Sequence, residues 1–187
     1  MFIITQLITQ LCANIIFSQA LGTSTIIIAA RNKKNLAFAA CTIMLFTTAG
    51  SSLAYFADKV ISSENQNWLM LCYVSIIALL YVCALTLLWL INKNIFNKAK
   101  LYIHISAFNC AVAGSMLMAH NKAVGMHIFY NYFKSGLEAG IGFLLASLIL
   151  TAAYKNLNSS KVPASFRGFP AMLVYIGIIS MALYALK

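Results

Sequence analysis

The sequence predicts an all-α integral membrane protein: six transmembrane helices forming two inverted three-helix repeats, with spans one and four interrupted. Three observations carry this reading. Of 187 residues, 62% are hydrophobic and only 9% charged, whereas soluble domains hold roughly 25% charged and about 45–50% apolar residues. The charges fall in short clusters between long uncharged runs. Finally, two of those runs carry small, polar interruptions at corresponding places in the two halves of the chain. A soluble enzyme, a disordered tail and a basic nucleic-acid module are excluded, because too little polar surface remains to cover a core in water.

Crossing a hydrocarbon core of about 30 Å takes roughly 20 apolar residues as a helix. Spans are expected at about residues 2–30, 35–57, 65–92, 101–121, 126–154 and 168–186, together one membrane domain over 1–187. The first has no positively charged leader and no clear A-x-A site, so it reads as a retained segment and not a signal peptide. The fifth runs past Lys134 and Glu138 and is cleanest after Glu138. The sixth has Pro170 in its first turn, where a missing N–H costs little.

Orientation follows from the short connections. Arg31, Lys33 and Lys34, then Lys93, Lys98 and Lys100, then Lys155, Lys161 and Arg167 supply nine of the 13 cations on one side, with no acidic residue. The other side holds Lys59 with Asp58 and Glu64, then Lys122 and Lys187. The positive-inside rule puts the nine-cation side in the cytoplasm and both termini outside. The net charge of +10 is thereby read as a topology signal facing anionic lipid, not as a nucleic-acid footprint.

Span one contains Leu21-Gly22-Thr23-Ser24-Thr25, and span four contains Asn109-Cys110-Ala111-Val112-Ala113-Gly114-Ser115. Glycine among small polar residues either breaks a membrane helix or lets a neighbour approach closely, and Gly22, Thr23, Asn109 and Gly114 are the residues concerned. Three helices per half is an odd number, so the two halves are inverted, and paired interruptions then point to a site near the midplane.

Ionisable groups inside a bilayer cost about 2.5–3.5 kcal/mol on insertion scales and need a reason. Glu138 follows Lys134 by one helical turn and pairs with it on one face; the alternative is an ion or proton path through Glu138. His104, His120 and His127 form no i, i+4 pair that would suit a metal. Asn14, Gln19 and Asn109 are amides able to bond across helices or to satisfy broken backbone. Cys12, Cys41, Cys72 and Cys83 read as apolar packing residues without disulfide or zinc spacing. Cys110 differs, because a thiol at a half-helix N-terminus is favoured as thiolate and suits a soft metal. One cysteine supplies one of the four ligands that an iron–sulfur cluster needs, so other chains would supply most of them.

Beside these features stands a resemblance. Asn14-Ile15-Ile16-Phe17-Ser18-Gln19-Ala20-Leu21-Gly22 resembles the first-span signature of the Rnf/Nqr integral membrane subunits, and Asn109-Cys110-Ala111-Val112-Ala113-Gly114 their fourth. Gly140-Ile141-Gly142-Phe143 fits the fifth, and Val162-Pro163-Ala164-Ser165-Phe166-Arg167-Gly168 resembles the entry to the sixth. The correspondence is co-linear from about Leu11 to Leu186 and favours the RnfA-like (NqrE-like) branch. It implies a subunit of an ion-translocating, NAD-linked electron transport complex in a bacterial inner membrane, with no catalytic site of its own. It further implies a [2Fe-2S] cluster shared with an inverted six-span sister subunit, and coupling of electron flow to Na+ or H+ transport. Cys110 matches the fourth-span metal ligand. At the first-span ligand position, where the family reads Gly-x-Cys-Pro, this chain has Ser24 followed by Thr25. The absent cysteine and proline keep a second reading in view, a redox-inactive relative acting as a secondary transporter or membrane scaffold.

Overall fold

The structure, a computed structural model, describes residues 14–23, 25, 33–61, 66–91, 93–122, 128–160 and 162–185. Among them lie seven helices and no strand: α1 (Ile15–Gln19), α2 (Lys33–Val60), α3 (Gln66–Ile91), α4 (Lys93–Ala107), α5 (Cys110–Lys122), α6 (Phe129–Leu157) and α7 (Phe169–Ala185). Within α2, α3 and α6, the segments Phe38–Val60, Trp68–Ile91 and Phe129–Tyr154 are each long and apolar enough to cross a bilayer. Ala99–Ala107 and Cys110–Lys122, bent by 41° at their junction, make a fourth when taken as one broken span. Helix α7 is apolar throughout but has 17 residues. Most of the expected first span lies outside the described residues.

Two differences from the expected boundaries have simple causes. Residues 93–100, expected to lie in a connection, form the start of α4. The stretch 93–107 has no glycine or proline and contains Lys, Ala and Leu, all good helix formers. Helix α2 runs on to Val60, so Asp58, expected in an outer connection, lies inside a helix and is buried.

The bundle is organised around α2 and α6, whose contact is the most extensive in the molecule. Gly136 and Gly140 stand one turn apart on α6 and let the two backbones approach. A Cβ added at Gly136 would lie 2.7 Å from the Thr47 carbonyl oxygen and 2.8 Å from Ser51 Cβ; one at Gly140 would lie 2.7 Å from Met44 Cγ. This small-xxx-small pair, within Gly136-Leu137-Glu138-Ala139-Gly140, is not among the features that the sequence pattern marks out above. Two apolar clusters flank the seam. One joins Ile16, Phe17, Ile43, Phe143, Leu150 and Met172; the other joins Phe46, Leu69, Tyr73, Ile103, Met116 and Tyr132.

Helices α3 and α7 are different. Leu71, Val74, Leu79, Val82, Leu87 and Leu90 of α3, like Val174, Ile178 and Met181 of α7, are exposed. A helix apolar on all sides with so little of it buried fits hydrocarbon, not water. The entry to α7 is built by the motif 162–168. Phe166 and Arg167 N–H groups both donate to the Pro163 carbonyl at 3.0 and 3.1 Å. The Arg167 guanidinium donates to the Val162 carbonyl at 3.0 Å. Gly168, at φ +84°, turns the chain into the helix, and Ser180 Oγ donates to the Phe17 carbonyl at 2.5 Å, tying α7 to α1.

Candidate functional site

Two asparagines start the two half-helices. Asn14 Oδ1 accepts the Ile16 N–H at 2.9 Å, the geometry of an N-cap, while its Nδ2 donates across the bundle to the Gly142 carbonyl at 2.6 Å. Asn109 repeats the device: Oδ1 accepts the Ala111 N–H at 3.0 Å, capping α5, and Nδ2 donates to Thr25 Oγ1 at 3.1 Å. Each amide therefore satisfies an orphan backbone donor and reaches across to another segment. Both are buried.

After α1 the backbone turns left-handed at Ala20 (φ +55°) and again at Gly22 (φ +81°). Thr23 Oγ1 donates to the Ala20 carbonyl at 3.1 Å across this turn. The Gly22 N–H points at the other break and donates to Cys110 Sγ at 3.0 Å. The thiol in turn faces Asn109 Oδ1 at 3.7 Å. Cys110 is the first residue of α5, and it is exposed. The interruptions of spans one and four thus meet at one sulfur atom that is open to the side of the bundle.

Of the residues expected to matter, the structure brings Gly22, Thr23, Asn109 and Cys110 together. Gly114 is buried one turn further along α5. Ser24 lies outside the described residues, as do Cys12 and His127. Glu138 lies elsewhere, with Oε2 3.2 Å from Lys122 Nζ and Oε1 3.9 Å from Lys134 Nζ. The Lys134 pair is thus joined by a second lysine from α5. Cys41, Cys72 and Cys83 are free. Among the described residues no three His, Cys, Asp or Glu side chains cluster as a metal site.

A second polar centre escaped the sequence reading. Asp58, its side chain 1% exposed, accepts from Tyr73 Oη at 2.6 Å and from Tyr132 Oη. His120 Nδ1 lies 2.9 Å from its other oxygen. Four helices (α2, α3, α5 and α6) each contribute one of these groups. The available signal was Asp58 itself, one of only three acidic residues in the chain, next to the run Leu53-Ala54-Tyr55-Phe56-Ala57.

Compared with known proteins, the chain matches the profile of the Rnf-Nqr subunit, a membrane protein, over residues 3–187. The chain belongs to the Rnf-Nqr subunit family. It is 31% identical over 99 residues to the RnfA protein of the ion-translocating oxidoreductase complex of Aromatoleum aromaticum, covering 51% of this chain and 48% of that one. To the NqrE protein of the Na(+)-translocating NADH-quinone reductase of Chlamydia pneumoniae it is 26% identical over 145 residues, 75% of this chain and 54% of that one. To the RnfA protein of the ion-translocating oxidoreductase complex of Histophilus somni it is 24% identical over 141 residues, 74% of this chain and 72% of that one. The chain spans about half the length of the first two of these relatives. In this Rnf-Nqr chain, the segments 14–22 and 109–114 that carried the resemblance are the ones that meet at the Cys110 sulfur.

Proposed function

We propose that this chain is a membrane component of an ion-translocating electron transport complex of the Rnf/Nqr type. It would lie in a bacterial inner membrane as two inverted three-span repeats, both termini outside, beside an inverted six-span sister subunit. The observation that carries the reading is the convergence of both breaks on Cys110 Sγ.

The residues fit one share of a [2Fe-2S] cluster. A soft thiol stands at a helix start with a backbone N–H on its sulfur, open on the side where a second chain would sit. The remaining ligands would come from that second chain, since Ser24 occupies the family's other cysteine position and a hydroxyl is a harder, far less acidic donor. When bound, such a cluster takes up and releases one electron at a time. This chain's own part is to hold the sulfur, through Asn109 and Gly22. Glu138, between Lys122 and Lys134, is the acidic group we assign to ion or proton entry.

The test is iron and acid-labile sulfide in the co-purified membrane complex, wild type beside Cys110→Ala. A loss of about one cluster in the variant is the expected result. Equal iron in both would remove Cys110 from the electron path. Ser24-Thr25 in place of Cys-Pro would then favour the second reading, a redox-inactive transporter or scaffold, for which solute or ion uptake in liposomes is the measurement.

A further inference from the structure

Span one brings no thiol to the break, since Ser24 and Thr25 stand where Cys and Pro are expected. What it brings to the sulfur is a backbone amide, the Gly22 N–H at 3.0 Å from Cys110 Sγ. Residue 22 follows the left-handed Ala20 and is itself at φ +81°, a conformation in which glycine alone is unstrained. There is no room for a side chain either. A Cβ at this position would lie 2.8 Å from Phe143 Cε2, 3.1 Å from Ala111 Cβ and 3.1 Å from Asn109 Oδ1. From the other side Asn109 fixes the start of α5 and so the position of Cys110.

We infer that Gly22 is a positioning residue for Cys110, its amide N–H being the first span's contribution to the sulfur in place of a second thiol. This rests on the reading of Cys110 as a cluster ligand. A donor directed at a ligating sulfur stabilises the more negative, reduced state and raises the reduction potential. A glycine needed only for space would leave both the potential and the amide's dependence on the sulfur unchanged.

Two measurements on the intact complex test this. With glycine selectively 15N-labelled, the Gly22 amide should exchange with solvent at least tenfold faster in Cys110→Ala than in wild type, while the Gly136 amide does not change. Equal exchange of Gly22 in both overturns the inference, and this arm needs no iron. In the second, Gly22→Ala is combined with Phe143→Leu to make room, and Phe143→Leu alone is the control. The cluster's midpoint potential should fall by about tenfold in the one-electron equilibrium, about 59 mV. A potential equal to that of the control overturns the inference. Absence of iron from the wild-type complex would overturn the functional reading instead, leaving the amide-exchange arm to decide the role of Gly22.

Discussion

Asp58 and Glu138 show how differently two carboxylates in one helix bundle are valued. Removing an ion from water costs several kcal/mol and is recovered only with good geometry and further hydrogen bonds. Asp58 has both, with two tyrosine hydroxyls and an imidazole converging on a side chain 1% exposed. Asp58→Asn places an amide NH2 against groups that are themselves donors, and breaking such a buried set costs about 3–5 kcal/mol. Tyr132→Phe removes one charge-assisted bond, worth about 1.5–3 kcal/mol. Glu138, its side chain 38% exposed beside two lysines, should lose less than about 1 kcal/mol as Glu138→Gln. Unfolding in detergent micelles would rank the three. A Glu138→Gln loss as large as that of Asp58→Asn would refute the assignment of the bundle's outer clasp to Asp58.

At the scale of elements, the seam between α2 and α6 depends on two glycines, and a third glycine provides the control. Gly136→Ala drives a methyl into the Thr47 carbonyl, which belongs to a helix backbone and cannot step aside. Overpacking of this kind typically costs 1–3 kcal/mol. Gly177 of α7 has nothing within 4 Å of an added Cβ, so Gly177→Ala should be neutral or gain about 0.5–1 kcal/mol from helix propensity. Thermal midpoints of the two variants should therefore move apart. The same seam explains why this region resists sequence reading. Gly140-Ile141-Gly142-Phe143 stands out as a family-like stretch, yet the pair that packs is Gly136 and Gly140, and their role depends on Thr47 and Ser51, some 85 to 90 positions earlier. By contrast, the two breaks are legible, because glycine and asparagine among small residues alter local backbone wherever they occur.

At the scale of the molecule, charge asymmetry sets the expected orientation. Anionic lipid and the positive-inside bias favour the side carrying Lys93, Lys98 and Lys100 as the cytoplasmic one. With native cysteines replaced, Lys100→Cys should react with a membrane-impermeant maleimide only from the cytoplasmic side, and Lys122→Cys only from outside. Both side chains are exposed, so access is not limited by the fold, and reaction from the reversed sides would invert the topology. The exposed apolar faces of α3 and α7 are consistent with a protein whose lateral surface meets lipid and neighbouring chains.

The sequence by itself determined the solvent. Its 62% hydrophobic and 9% charged composition admits a bilayer and little else, and the uncharged runs located the helices that α2, α3 and α6 bear out. It also identified the family and the residues of both breaks, including the asparagine caps whose chemistry is local. Tertiary structure alone decided which groups meet: the Gly22 amide with the Cys110 sulfur, Asp58 with two tyrosines and a histidine, and α2 with α6. The physical reason is that lipid tails and a protein core are equally apolar. Along a membrane helix the hydrophobic pattern therefore marks the span but not the packed face, and only the assembled bundle distinguishes the two.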